Sequence, residues 1–330
     1  MEFWTGGMGL FKVRAAPAAL ADSYDGYVQG AKQAEALGFD AYLAPEHHFM
    51  YDGFIPSPLV ALAAAASATT KIRLVTGALL LPLYDPLAAA ELASTVDVLS
   101  GGRVILGLGM GYRPYEFDGI GTEKRTRGER LVEGLQVIMA ATRGEEFSFE
   151  GRHYRYEKAR LSPVPIQRPI PVWFCGGTSP RAARRAGQAG ARYWLANANL
   201  ELLETTVREY RRAGTEAGFP EEELQVACFK DVCLGDTVEE AEYLREMLLH
   251  DFYDEHILGY GYLVDDTGKH LYGLDRDRPA YRRFVDSIFC GTADMVIEEL
   301  RRYEALGLDA LLIQTAQLDR FATDVMPAFR

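Results

Sequence analysis

The ten residues EALGFDAYLA, from Glu35, return late in the chain as EALGLDALLI, from Glu304, and a fainter echo, QAGARYWLA, starts at Gln188. In each, a helical pattern ends at a glycine, the residue that best tolerates the left-handed conformation closing many helices, and a short apolar run follows. The repeated unit is a helix feeding a strand. Copies of it spread along the chain call for a fold built by alternating the two.

Other strand-like runs are KIRLVTGALLL from Lys71, RVILGLG from Arg103, PVWFCGG from Pro171 and LQVACFKDVCLG from Leu224, with MEFWTG at the N-terminus. Helices announce their starts where a short polar residue precedes proline, as at Ser57 with Pro58 and Asp85 with Pro86. Strands near Met1, Phe39, Lys71, Arg103, Pro171, Arg192, Leu224 and Leu308 make eight, alternating with helices. Eight βα units predict an α/β fold of the TIM (β/α)8 barrel type, which takes roughly 250 residues and leaves about 80 for insertions. A doubly wound open sheet shares the alternation, and counting strands does not separate the two.

Two stretches read as insertions into a single domain over residues 1–330. In 147–168, FSFEGRHYRYE has the pattern of a hairpin before a proline-rich crossing; 250–290 contains GYGYLVDDTGKHLYG, the glycine and aromatic mixture of a mobile lid. A formal charge of −12 opposes a nucleic-acid surface, which needs clustered Lys and Arg, and Arg181, Arg184 and Arg185 read as a solvated helix face. Cys175, Cys228, Cys233 and Cys290 have neither the density of a disulfide framework nor the spacing of a zinc site. The N-terminus MEFW lacks a basic-then-apolar leader, and LVALAAAASA is too short to span a bilayer, so the expected location is the cytoplasm, away from the membrane.

Chemistry enters with APEHHFM, Ala44 to Met50. If a barrel strand ends here, His47 and His48 stand at the face where such barrels carry their sites. Strand alternation would send at most one into the central pocket, so joint chelation of a metal is not expected, and no HExxH set is present to help. One histidine as an acid/base or hydrogen-bonding group in the pocket, or one packed beneath a loop with the other solvated, remain open. GLGMGYRPYEF, from Gly107, fails as a dinucleotide fingerprint: it reads GxGxG, followed by Tyr112 and Pro114, with no immediate helix to receive a pyrophosphate. Its glycines, Gly107, Gly109 and Gly111, admit close backbone approach by a flat group, or tight packing. In CGGTSPRAARRAG, from Cys175, a strand ends in Gly176 and Gly177, Thr178 and Ser179 occupy the capping region and Pro180 opens a helix whose free amides suit an anion; ordinary capping is the alternative.

Together EHHF, TGALLLP, GRVILGLGMGYRPYEFDGIG and the terminal DVMP, in that order, resemble the luciferase-like flavin-dependent monooxygenases related to bacterial luciferase. The resemblance implies a TIM barrel that binds reduced flavin, usually FMN, which reacts with O2 to a C4a-hydroperoxide that oxygenates a small organic substrate. It also implies a separate flavin reductase as donor and a homodimer. By position, His47 matches the family's catalytic histidine, and Gly77 with Ala78 falls where the family has a non-prolyl cis peptide beneath the isoalloxazine. Gly109 and Met110 stand in place of a cysteine near the flavin and an arginine that helps hold its phosphate. Those departures argue against light emission and shift phosphate binding to Gly176, Gly177, Thr178 and Ser179, with Arg181 or Arg113 assisting. Relatives on the same barrel use a deazaflavin coenzyme for hydride transfer, which is the alternative reading; a non-catalytic flavin-binding subunit is a third. Tyr51, Phe54, Tyr260, Tyr262 and Tyr272 suggest an aromatic entrance.

Overall fold

The computed structural model describes residues 1–6, 17–50, 53–265 and 269–330. Thirteen strands occur among them: β1 (Glu2–Gly6), β2 (Ala41–Ala44), β3 (Arg73–Leu79), β4 (Val104–Gly109), β5 (Phe147–Glu150), β6 (Arg155–Ala159), β7 (Val172–Gly176), β8 (Arg192–Leu195), β9 (Val226–Leu234), β10 (Tyr260–Val264), β11 (His270–Tyr272), β12 (Phe289–Gly291) and β13 (Ala310–Gln314). The main sheet runs β12-β9-β13-β1-β2-β3-β4-β7-β8, and β9 also pairs with β8. That second pairing closes eight strands into the parallel barrel expected from the alternation, with β12 added at β9.

The repeated junctions fold as their glycines require. Gly38, Gly190 and Gly307 adopt φ of 83°, 61° and 73°, and each reverses the chain from a helix into β2, β8 or β13. The two proline-marked helix starts differ. Asp85 accepts hydrogen bonds from the Leu87 and Ala88 amides, whereas Ser57 makes no side-chain cap, so proline alone carries the second signal.

The chain divides into two compact units, Thr5–Gly176 and Met1–Trp4 with Gly177–Arg330. In the first, β2, β3 and β4 pair in parallel and β4 pairs with β7. The expected hairpin is β5–β6, antiparallel. Fully buried Asp97 holds the proline-rich crossing, accepting from the Ile166 amide at 2.8 Å, the Gln167 amide at 3.0 Å and the Gln167 side chain at 2.7 Å. Without those three donors a buried carboxylate here would be costly.

In the second unit the register aligns Trp4 with Leu312 and Leu312 with Phe229, so these side chains share one face of the sheet. Phe3, on the other face, packs edge-on against Phe321 and Phe329 at 5.5 and 5.6 Å. The stretch expected to be a lid folds as the antiparallel pair β10–β11, with Tyr260 opposite Tyr272 and both exposed. Residues 266–268 of that stretch, and Tyr51, lie outside the described residues.

Candidate active site

In the Thr5–Gly176 unit, buried strands give way to half-buried residues at their C-terminal ends: His47 and His48 beyond β2, Gly77 and Ala78 within the end of β3, Met110 after β4, and Cys175 and Gly176 closing β7. These strands are parallel, so their ends lie on one edge, the edge on which a barrel carries its loops. The Gly77–Ala78 peptide is cis.

Regular strand structure stops at Ala44, so the alternation argument does not reach the histidines. Each ring instead binds its own buried carboxylate. His47 Nδ1 lies 2.8 Å from Glu116 Oε1, and His48 Nε2 lies 2.6 Å from Glu46 Oε1. Glu116 stands in the helix Pro114–Ile120, which does follow the glycine-rich stretch closely, contrary to the expectation of no immediate helix. At seven residues it is a platform for Glu116.

Glu46 is a tie rod. Its Oε2 accepts from the Leu80 amide at 2.9 Å, its Oε1 accepts from the Tyr84 hydroxyl at 2.9 Å, and His48 completes the set. The loop after β2 is thereby fixed to the chain leaving β3. Burial raises the Glu46 carboxyl above its usual range. At His48 burial pulls the other way, but the Glu46 hydrogen bond prevails and raises the imidazole, so the pair tends to keep a proton between its members.

His47 differs. Burial holds its imidazole below the ordinary range; the Glu116 hydrogen bond opposes that effect and the positive charge of Arg113 reinforces it. A carboxylate against Nδ1 places the ring proton there, leaving the Nε2 lone pair free to accept. Nε2 faces the Tyr112 hydroxyl at 3.4 Å, and burial pushes that phenol up to about 12. Phe54 packs edge-on to the imidazole at 4.7 Å, which makes it a wall of the histidine's surroundings. Glu116 Oε1 also accepts from the His48 amide at 3.1 Å, while Oε2 is buried with no partner. A neutral, oriented imidazole is suited to taking up a proton near neutral pH.

Arg113, offered by sequence as a phosphate helper, is fully buried and donates to the Tyr112 and Tyr115 hydroxyls and the Met50 sulfur. Its charge acts on His47. Gly109 serves packing: a Cβ there would lie 2.8 Å from that of Ala78. Gly111 has φ of 71° and sits against Phe117. Burial raises the Cys175 thiol, which keeps it protonated and unreactive. Among the described residues no group of three or more His, Cys, Asp or Glu side chains is arranged to hold a metal ion.

At the start of the other unit, Gly177 has open space where a side chain would be. Ser179 caps the helix Pro180–Gln188 by accepting from the Ala182 amide, and the Thr178 carbonyl accepts from Thr206. Ordinary capping is therefore realised, and Arg181 is exposed on that helix. Glu46, Tyr84, Tyr112 and Glu116 were not singled out as site residues from sequence, although Glu46 lies in APEHHFM and both Tyr112 and Glu116 lie in GLGMGYRPYEF, stretches already read for chemistry; only Tyr84 stands outside them.

A family model described as luciferase-like monooxygenase matches residues 5–310. Among individual proteins, an uncharacterized protein y4wF of Sinorhizobium fredii is 36% identical over 173 residues, spanning 52% of this chain and about half (51%) of that one. The oxygenase component of a flavin-dependent trigonelline monooxygenase from Acinetobacter baylyi is 25% identical over 327 residues, 93% of this chain and 90% of its own. An F420-dependent glucose-6-phosphate dehydrogenase from Kineococcus radiotolerans is 33% identical over 210 residues, 61% and 59% of the two chains. Among solved structures, monooxygenase RslO1 from Streptomyces bottropensis superposes with a TM-score of 0.78 at 24% identity over 100% of both chains, a likeness of fold.

Proposed function

The chain belongs to the luciferase-like monooxygenase family, and we propose that it is the oxygenase component of a two-component system that uses reduced FMN and O2 to oxygenate a small organic substrate. A separate flavin reductase supplies the reduced flavin. The observation that carries this reading is the half-buried His47 imidazole held on the fully buried Glu116 carboxylate at the strand-end edge.

The residues fit a flat cofactor there. Gly77 and Ala78 offer backbone and one methyl group, and Met110 and Gly176 flank them along the same edge. Within the other unit, Gly177, Thr178 and Ser179 are the residues we assign to anion binding, as backbone donors, Ser179 keeping its hydroxyl on the helix. Bound reduced flavin supplies the electrons that activate O2. The protein's own part is to exclude water and manage protons. His47, held by Glu116 with Nε2 outward, takes up or returns a proton at that nitrogen, and the Tyr112 hydroxyl stays protonated to donate to it.

The F420-dependent relative gives a second reading specific support: the same barrel carrying a deazaflavin for hydride transfer. The two separate in one experiment. Purified protein is titrated with reduced FMN and with reduced deazaflavin, and oxygen-dependent absorbance is followed. The proposal expects tight reduced-FMN binding and oxygen consumption; tight deazaflavin binding without oxygen consumption overturns it.

A further inference from the structure

The Gly177–Arg330 unit, with Met1–Trp4, holds a polar cluster that the proposed chemistry does not use. Lys230 and Asp231 are consecutive in β9 and fully buried. Lys230 turns toward the helices: its Nζ donates to the Ala198 carbonyl and to that of Ser287 at 3.2 Å, and stands 4.6 Å from the ring of Tyr303 in the helix Ala293–Ala305. Alternation sends Asp231 to the opposite face, the one shared by Trp4, Phe229 and Leu312. Parallel register sets Gln314 of β13 beside Asp231 on that face. Asn197, just beyond β8, donates from Nδ2 to Asp231 Oδ2 at 3.1 Å, and the Tyr253 hydroxyl donates to the same oxygen at 2.7 Å.

Those contacts leave three oxygens over. Asp231 Oδ1, Asn197 Oδ1 and Gln314 Oε1 are each buried without a hydrogen-bond partner. The carboxylate fixes how Asn197 lies, since its NH2 must face Asp231, so the atom left over is the oxygen. Buried polar atoms are nearly always satisfied, and three unsatisfied acceptors on neighbouring residues form a set prepared for donors. Among the described residues no cation is bonded to this set, and Lys230, its neighbour in sequence, spends its donors on the other face. Burial pushes Asp231 up to about 7, against the smaller opposing effects of the Tyr253 hydrogen bond, the Lys230 charge and the Asn197 hydrogen bond.

We propose that this cluster binds a primary ammonium group, whose three N–H bonds are donated to Asp231 Oδ1, Asn197 Oδ1 and Gln314 Oε1. Number, type and charge agree: three acceptors meet three donors, and the carboxylate meets a cation. A hydroxyl offers one donor and a quaternary ammonium none. A hard divalent ion would draw on more carboxylates than the single one here. The Tyr253 ring, packed against Phe284 at 4.5 Å, keeps the surroundings apolar, which strengthens an ion pair formed inside. The assignment rests on this unit's residues alone and stands apart from the flavin reading.

The test uses the full chain without flavin, at about pH 8, where Asp231 is ionised and an alkylamine is still protonated. Calorimetry follows binding of n-hexylammonium, with N,N,N-trimethylhexylammonium and hexan-1-ol as controls. One saturable site is expected for n-hexylammonium, with each control at least about tenfold weaker. Asp231→Asn should weaken it about tenfold or more while leaving the circular dichroism spectrum unchanged; Gln314→Leu, on a different strand, should weaken it severalfold. Equal binding of either control, undiminished binding by both variants, or no binding by the parent protein overturns the proposal.

Discussion

Glu116 Oε1 lies 2.8 Å from His47 Nδ1 across 69 positions of sequence, and the same oxygen accepts the backbone amide of His48. One carboxylate thus orients the ring and anchors the backbone that carries it. Glu46 binds the ring of His48 and ties it to the Leu80 amide and the Tyr84 hydroxyl, so two adjacent histidines are held in opposite protonation tendencies, His47 lowered and His48 raised.

Replacing Glu116 by glutamine keeps the volume and removes the charge. Burial and Arg113 then act on His47 with no carboxylate to oppose them, so its pKa should fall further below the ordinary range. The proton on Nδ1 also loses the partner that fixes it there. Turnover should drop by about 10- to 100-fold with flavin affinity nearly intact. Histidine NMR titration alongside single-turnover kinetics checks both; an upward shift, or unchanged turnover, would remove Glu116 from the proton path. His47→Ala should slow oxygenation at least as much.

Glu46 has a larger structural load than Glu116. Glu46→Leu would leave the Leu80 amide, the Tyr84 hydroxyl and His48 Nε2 without their acceptor in a buried place. Each such loss costs about 1–3 kcal/mol, and the sum should reach roughly 3–5 kcal/mol even after relaxation. Urea denaturation reads this directly. A loss under about 1 kcal/mol would mean that water replaces the carboxylate.

Periodicity and glycine placement carried the fold into view because they are local. EALG at Glu35 and Glu304 encodes a helix end and a turn within four residues, and both glycines adopt the conformation the motif requires. The candidate site was legible only in part. EHHF announced the histidines, but their partners are set by contacts across many residues: Glu46 to Leu80 and Tyr84, Glu116 to His47. Alternation failed beyond Ala44 because it presumes a strand, and the strand had ended. Asp231 and Gln314 come together only through strand register, which no stretch of sequence displays.

Gly109 offers a sterically clean experiment. Its alanine variant would bring a methyl group within 2.8 Å of the Ala78 Cβ, and Leu80 stands close behind at 3.5 Å. Overpacking of this kind costs about 1–3 kcal/mol. Pairing it with Ala78→Gly removes the opposing methyl, so the double variant should recover most of that loss. Thermal unfolding of the two single variants and the double gives the coupling; simple additivity would show that the two residues do not press on one another.

The Asp231 carboxyl makes a signed prediction about pH. Its folded value of about 7 lies above the ordinary carboxyl value of 3.8, so between roughly pH 4 and 7 the folded state keeps a proton that the unfolded state has released. Stability from this group is therefore fully present below about pH 4 and is lost as pH rises through 7. Lys230 has the opposite sense: burial lowers it from 10.5 to about 8, so its penalty is greatest below pH 8 and fades as pH rises towards 10.5. Together the two groups place their least favourable contribution between about pH 7 and 8. Asp231→Asn removes the first titration. Its stability relative to the parent should accordingly be higher at pH 8 than at pH 5, by about 2–3 kcal/mol. Chemical denaturation at both values measures it, and a difference independent of pH would mean that Asp231 is already charged at pH 5, the Lys230 charge and the hydrogen bonds outweighing its burial.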